Sequence, residues 1–175
     1  MKVCIICAPG LEECEALLVY DILFRAGIDV KLVGFKEEIT SSHNMTFKVD
    51  ALLDLENLND YDCLVLPGGM PGKINLETNP IVSKAIDDFV KDNKLIAAVC
   101  SAPSILIKKG LLKDKEFTCF PGFEEGLEKL DVKAHKHKNI ITGCGLGGTI
   151  DFAALIVAEL VSKEKADEIL NRIGY

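Results

Sequence analysis

The stretch LIAAVCSAPSIL, residues 95–106, joins an apolar run to a helical pattern with almost nothing between them. The five residues before Cys100 are all apolar, which is typical of a strand covered on both faces. A helix predicted over residues 102–109 follows immediately. A strand that turns directly into a helix indicates a βα unit of a parallel sheet.

The same alternation of strand and helix extends outward in both directions. Residues 3–7 form another continuous apolar run, and residues 15–26 carry apolar side chains at helical spacing. Short loops between unlike elements predict an α/β fold, a three-layer α/β/α sandwich with a mostly parallel central sheet. No repeat or linker divides the chain, so we expect a single domain over residues 1–175. The remaining predicted strands are 28–34, 47–49, 62–66, 117–119 and 139–142, and the remaining predicted helices are 80–91, 150–161 and 165–172.

Composition and charge exclude several classes of protein. Hydrophobic residues make up 49% of the chain, which is too apolar for a disordered protein. The net charge of −7 disfavours a nucleic-acid or anionic-membrane binder, which needs a dense basic surface. No apolar run reaches the ~18 residues of a membrane span, and the first ten residues lack the features of a signal peptide. We therefore expect a cytoplasmic protein whose seven cysteines are reduced.

Cys100 is the first candidate for chemistry. In a parallel sheet the ligand crevice forms at the carboxyl ends of the strands, and Cys100 follows a strand at such an end. A sharp strand-to-helix turn is the layout of a nucleophile elbow, and the start of a helix favours a thiolate. Free cysteines are also commonly buried and inert, so position alone leaves both interpretations open.

Two further loops complete the predicted crevice. The loop PGGMPG, residues 67–72, places Gly69 where its N–H could face an oxyanion. The loop 8–13 leads to Glu15, which we expect near Cys100 if the strands 3–7 and 95–99 lie close together. Glu15 could equally be a solvated acid in the first turn of its helix.

The other cysteines and the histidines predict no second site. Cys4 and Cys7 form a C-x-x-C pair, but an offset of three within a strand puts them on opposite faces, as in core packing. His135 and His137 share a face of an extended segment, and Cys144 would add a third metal ligand. Because no second pair completes a set of four ligands, the sequence predicts no metal site.

Four motifs in order resemble the ThiJ/PfpI superfamily, in the branch that holds a parkinsonism-associated protein deglycase and bacterial ThiJ-like proteins. They are GLEECEAL (10–17), DCLVLPGGMPG (62–72), LIAAVCSAPSIL (95–106) and GLGGTIDFAAL (145–155). The resemblance covers nearly the whole chain and implies a flavodoxin-like sandwich that assembles as a homodimer.

The resemblance also implies roles for single residues. Cys100 corresponds to the family's reactive cysteine, and Glu15 to a protonated glutamate that hydrogen-bonds its sulfur. The backbone N–H groups of Gly69 and Ser101 correspond to donors that face the same pocket. Ser101 stands where family peptidases have a histidine, so no imidazole is available beside the thiol and peptidase activity is not expected.

Other positions depart from the family's pattern. Phe120 stands where relatives with glyoxalase activity often have a histidine, although bacterial ThiJ-like relatives also have phenylalanine there. Residues 145–149 replace a Gly-Pro-Gly-Thr motif, and Cys144 stands where some relatives have arginine. We expect an anionic ligand to be held less firmly as a result.

Two functions therefore remain open. The first is a glyoxalase- or deglycase-type thiol enzyme without a cofactor, acting on methylglyoxal, other reactive dicarbonyls or their adducts with protein. Cys100 would attack the aldehyde and Glu15 would move the proton. The alternative is an oxidative-stress-responsive sensor or chaperone-like protein whose Cys100 is oxidised to a sulfinate without turnover. The expected partners are a small dicarbonyl or glycated protein and a second copy of the chain, with no nucleic acid and no membrane.

Overall fold

A computed structural model describes all residues from Met1 to Tyr175 and shows a seven-stranded sheet with helices on both faces. The strand order is β5-β2-β1-β6-β7-β9-β8, and every pair is parallel except β8 with β9. The predicted α/β sandwich is therefore confirmed. The strands are β1 (Lys2–Cys7), β2 (Asp29–Gly34), β3 (Glu38–Thr40), β4 (Thr46–Lys48), β5 (Ala51–Leu52), β6 (Cys63–Leu66), β7 (Leu95–Val99), β8 (Ala134–His137) and β9 (Ile140–Gly143). The helices are α1 (Glu13–Arg25), α2 (Gly72–Thr78), α3 (Pro80–Lys91), α4 (Pro103–Lys108), α5 (Thr149–Leu160) and α6 (Lys163–Ile173).

Two apolar layers hold the helices against the sheet. Helices α1, α5 and α6 pack on one face, and α2, α3 and α4 pack on the other. Successive side chains of β1 alternate between these layers, so Ile5 and Cys7 join the first layer while Cys4 and Ile6 join the second. The alternation puts Cys4 and Cys7 on opposite faces of the sheet, as their spacing predicts.

Residues 117–119 do not form the predicted strand. Phe117 and Cys119 are buried, but the Thr118 N–H donates to Oγ1 of Thr142 at 3.0 Å, and the Thr118 hydroxyl donates to the carbonyl of Val132 at 3.0 Å. Side-chain hydrogen bonds thus replace a backbone ladder. The apolar pattern of this segment reflects burial without strand pairing.

Strand β3 and helix α2 are two short elements that the sequence reasoning missed. Strand β3 pairs with β4, which corresponds to the predicted strand 47–49, in an antiparallel hairpin separate from the main sheet. Helix α2 begins at Gly72, which is the last residue of the glycine- and proline-rich segment 67–72 that was predicted to be a loop. Both elements are too short for a periodic pattern to emerge.

The sheet brings four loops together at its carboxyl edge. These loops follow β1, β6, β7 and β9, which are consecutive neighbours in the sheet. Strand β6 lies between β1 and β7, so the strands 3–7 and 95–99 are separated by one strand and do not pair. No helix of the structure is long and apolar enough to cross a membrane.

Candidate active site

Cys100 occupies a strained turn between β7 and α4. Its φ is +63°, in the left-handed region that non-glycine residues rarely adopt. Its N–H donates to the carbonyl of Gly143 at 2.9 Å, and its own carbonyl accepts the N–H of Phe120 at 2.8 Å. Hydrogen bonds on both sides hold the turn and leave the side chain half-buried at the carboxyl edge of the sheet. This geometry is that of a nucleophile elbow.

Two backbone N–H groups face the sulfur of Cys100. They belong to Gly69 and Ser101, and both lower the pKa of the thiol because a nearby N–H group stabilises the thiolate. Gly69 has a φ of +90°, which a residue without a side chain adopts at little cost. The structure therefore brings together the two donors that the sequence analysis assigned to this pocket.

Glu15 approaches the thiol from the first turn of α1. It is fully buried, and its Oε2 accepts the N–H of Gly68 at 2.9 Å. The carboxyl lies close enough to the Cys100 thiol for each group to shift the pKa of the other, while its Oε1 has no hydrogen-bond partner. A fully buried carboxyl in this position is not the solvated first-turn acid of the alternative interpretation.

Burial and mutual contact control ionisation of this pair. Burial raises the pKa of Glu15 to about 7, and the contacts with Cys100 and Gly68 offset only part of that effect. Burial, followed by the charge and hydrogen bond of Glu15, raises the pKa of the Cys100 thiol to about 12. The pKa of the Cys100 thiol is therefore raised, whereas the position at the start of a helix predicted a lowered pKa. Since two acids in contact do not ionise together readily, the pair loses one proton near neutral pH and keeps the other.

The walls of the pocket are tight around the pair. A Cβ added to Gly68 would lie 2.8 Å from Oε2 of Glu15 and 3.1 Å from the sulfur of Cys100. A Cβ added to Gly145 would lie 3.1 Å from the ring of Phe120 and 3.8 Å from the same sulfur. Phe120, which is 48% exposed, therefore borders the sulfur on the solvent side.

The sequence reasoning located four residues of this site and missed two. Glu15, Gly69, Cys100 and Ser101 converge as predicted, although Glu15 reaches Cys100 across the end of β6. The sequence analysis assigned no role to Gly68 or Gly145. The one feature that could have pointed to them is their position in glycine-rich loops. The buried hydroxyl of Ser101 has no hydrogen-bond partner, and nothing in the structure explains it.

The remaining cysteines lie outside this arrangement. Burial raises the pKa values of the Cys4, Cys7 and Cys63 thiols well above their ordinary range, and all three residues are fully buried in the sheet. Cys14 is exposed on α1, where burial and the neighbouring acids Glu12 and Glu13 raise its thiol pKa. None of these sulfurs has the paired N–H donors that Cys100 has.

Comparison with known sequences gives a consistent set of relatives. Residues 1–159 match the family model described as DJ-1/PfpI. Protein dj-1beta of Drosophila melanogaster is 33% identical over 172 residues, which cover 94% of this chain and 92% of that protein. A deglycase of Pyrococcus horikoshii is 34% identical over 135 residues, which cover 76% of this chain and 80% of that protein.

Solved structures resemble the fold over nearly its whole length. DJ-1 of Toxoplasma gondii, in an oxidized form, superposes with a TM-score of 0.94 at 29% identity and covers 99% of this chain and 98% of its own. A DJ-1 superfamily protein of Salmonella typhimurium gives a TM-score of 0.93 at 32% identity, with the same two coverages. The fold and the sequence thus point to the same group of proteins.

Proposed function

This chain belongs to the DJ-1/PfpI family, and from that premise we propose that it is a cysteine-dependent enzyme that converts reactive dicarbonyls without a cofactor. The observation that carries the proposal is the pairing of the Cys100 sulfur with a buried carboxyl and two backbone N–H donors. The pKa values of about 7 for Glu15 and about 12 for Cys100 place the shared charge on the carboxylate in the resting pair, so the reactive form requires the proton to move to Glu15 and the charge to the sulfur. The sulfur has two N–H donors, whereas the carboxyl has only that of Gly68.

The chemistry follows from these positions. The thiolate of Cys100 attacks the aldehyde carbon of methylglyoxal, forming a C–S bond as the carbonyl electrons move to oxygen, which takes the proton of Glu15. The carboxylate of Glu15 then removes the proton of that carbon, and the hydroxyl proton passes to the neighbouring oxygen, which leaves an enediolate. Glu15 returns its proton to the neighbouring carbon, which gives a thioester. Water cleaves the thioester to lactate and restores the thiol. The net reaction consumes methylglyoxal and water and produces lactate.

The same first step suits adducts of dicarbonyls with protein side chains. An adduct opens when its hydroxyl proton is removed, the C–N or C–S bond breaks and the leaving amine or thiol takes a proton from Glu15; this regenerates the aldehyde that Cys100 then attacks. The resemblance to a deglycase of Pyrococcus horikoshii supports this wider substrate class. Phe120, 48% exposed at the pocket rim, supplies an apolar surface against which such a substrate can lie.

The experiment that tests the proposal follows lactate formation from methylglyoxal. We expect turnover by the parent protein, none by Cys100→Ala, and a large loss in Glu15→Gln, which cannot cycle a proton. Cys14→Ala is the matched control, because this thiol is exposed but has no donors around it. Lactate production that persists in Cys100→Ala, or its absence in the parent, would overturn the proposal.

A second function is favoured by one observation. The N–H groups of Gly69 and Ser101, together with a protonated Glu15, also suit the oxygens of a sulfinate on Cys100. A sensor of oxidants would use this oxidation without turnover. Limiting peroxide followed by peptide mass spectrometry should then find sulfinate at Cys100 before any other cysteine. First oxidation at Cys14 or Cys144 would count against this function.

A further inference from the structure

Three metal-ligating side chains meet on the edge of the sheet, away from Cys100. His135 and His137 are alternate residues of β8, so their side chains lie on the same face of the strand. Glu116, from the segment that precedes residues 117–119, approaches the same place. One ligand atom from each of these three residues lies within 4.8 Å of the other two. This group is named the β8 cluster below.

The spacing within the β8 cluster suits a small divalent ion. Nε2 of His135 lies 3.5 Å from Oε2 of Glu116. Two ligands at about 2.0–2.1 Å from a tetrahedral zinc ion are about 3.4 Å apart. The pair is therefore already separated by nearly the distance that a shared ion requires. A ring nitrogen of the third residue, His137, lies within 4.8 Å of a ligand atom of each of these two residues.

A second observation also points to a ligand. Nε2 of His135 is buried from solvent and has no hydrogen-bond partner, even though Glu116 is close. A buried ring nitrogen without a partner is costly, and coordination of a cation by its lone pair removes that cost. Glu116 is 67% exposed, so its carboxylate can turn toward an incoming ion.

The surrounding charge favours a cation. Asp114, Glu116 and Glu128 line a cleft of about 410 Å³ together with His137, and Lys115 is the one cation that lines it. Three carboxylates against one ammonium give the cleft a negative balance. Cys144, which the spacing of the sequence suggested as a third ligand, is not in the cluster; its sulfur lies beside Gly148, 2.8 Å from the position of a Cβ on that glycine.

We propose that Glu116, His135 and His137 bind a divalent transition-metal ion of the zinc class. Two imidazoles and one carboxylate form a ligand set that zinc accepts with a fourth position open to water. The ion would fasten Glu116 to β8, an edge strand that pairs only with β9. It would therefore stabilise the edge of the sheet, and this role does not depend on the proposed dicarbonyl activity.

The test is calorimetric titration of Zn²⁺ into the full-length Cys100→Ala protein. A phosphine in the buffer keeps the other cysteines reduced. We expect one Zn²⁺ site. Its affinity should fall at least about tenfold in His137→Gln and in Glu116→Gln, because even residues that only support a metal ligand have effects of this size. The control is His43→Gln, because His43 forms the other group of potential ligands, with Glu12 and Glu13, but its side chain is 69% exposed; the variant should keep the affinity of the parent. Zinc should also raise the melting temperature of the parent and not that of His137→Gln.

A measurement on the unmodified chain keeps the proposal testable if a variant misfolds. Substoichiometric Ni²⁺ should broaden the ring resonances of His135 and His137 in ¹H–¹⁵N spectra and leave those of His43 sharp. X-ray absorption of the zinc-loaded protein should show nitrogen and oxygen ligands. No binding at 100 µM Zn²⁺, equal broadening of all three histidines, or a sulfur-ligated ion would overturn the proposal.

Discussion

Glu15 and Cys100 share one proton at neutral pH, and the atom that holds it determines what the site can do. If Glu15 keeps the proton, it donates a hydrogen bond to the thiolate and lowers the pKa of the sulfur. If Glu15 is ionised, its charge opposes the thiolate and raises that pKa. The two arrangements predict shifts of opposite sign when the acid is removed.

The proposed mechanism, in which Glu15 holds the proton, requires Glu15→Leu to raise the apparent pKa of the Cys100 thiol, whereas removal of an ionised Glu15 would lower it. Loss of a charge-assisted hydrogen bond of about 1.5–3 kcal/mol corresponds to about one to two pH units. Alkylation of Cys100 by iodoacetamide, followed from acidic to alkaline pH by peptide mass spectrometry, measures the midpoint. Glu15→Gln, which retains an N–H donor, should shift it less. A midpoint that moves to lower pH in Glu15→Leu would place the parent's charge on the carboxylate.

Burial of Glu15 also makes folding depend on pH. The pKa of Glu15 rises from an ordinary value of 4.5 to about 7 in the folded protein. A raised pKa contributes stability that is fully present below pH 4.5 and is lost as the pH rises through about 7. Relative to Glu15→Gln, the free energy of unfolding of the parent should fall by about 3 kcal/mol between pH 4 and pH 9.

Urea unfolding at several pH values measures this difference. The exposed acid Glu37 provides the control, since Glu37→Gln should leave the pH profile of the parent unchanged. The prediction holds whichever of Cys100 and Glu15 carries the charge, because the pair as a whole loses the proton. A parent and a Glu15→Gln variant with parallel pH profiles would contradict it.

Among the secondary-structure elements and loops, the loop after β6 contacts both the acid and the thiol of the site. Its first glycine, Gly68, donates to Glu15 and accepts the N–H of Glu12 at 3.0 Å, which fixes the start of α1 against the loop. The next residue, Gly69, directs its N–H at the sulfur and accepts the N–H of Lys73 at 2.9 Å. The loop therefore positions the Glu15 carboxyl and the Gly69 N–H relative to the Cys100 thiol.

We expect Gly68→Ala to reduce dicarbonyl turnover at least about tenfold, since a misplacement of about 1 Å can cost about 10²-fold. The added methyl would meet Cβ of Cys100 at 2.6 Å and Oε2 of Glu15 at 2.8 Å, so one of the two groups must move. Gly147→Ala is the matched control, because nothing lies within 4 Å of the Cβ it would add. Lactate formation by the folded variants gives the comparison. Equal rates in the two variants would show that the fit of Gly68 does not matter.

At the scale of the whole molecule, one helix face remains without a partner. Phe24 of α1 is 65% exposed and stacks on Tyr20 with ring centroids 6.2 Å apart. Exposed aromatic rings of this kind are common at protein interfaces. We propose that a second copy of the chain covers this face, as the resemblance to the family implies.

Light scattering after size exclusion should give a mass of about twice 19.1 kDa for the parent. Phe24→Glu should give the monomer mass, because a charge would have to be desolvated at the interface. Val90→Glu is the control, since Val90 is partly exposed on α3, on the other side of the sheet. A monomeric parent, or a dimer that survives Phe24→Glu, would contradict this interface.

The features that follow from the sequence alone depend on residues that are close together in the chain. Residues 95–99 are all apolar and pass directly into Cys100, so a buried strand and an elbow follow from neighbouring residues alone. The helix over residues 80–91 was equally predictable, because Pro80 and the apolar spacing both lie within it. Motif order along the chain also identified Glu15 and Gly69 as parts of the site.

The contacts that build the site join distant parts of the chain and therefore depend on the tertiary structure. The contact between Glu15 and Cys100 depends on which strands are neighbours, and β6 turns out to lie between theirs. The hydrogen bond from Gly68 to Glu15 spans 53 positions of the chain. The meeting of Glu116 with His135 likewise requires the edge strand to be in place. Strand order and packing bring together side chains that are far apart in the sequence. The pattern of residues within one segment cannot predict such contacts.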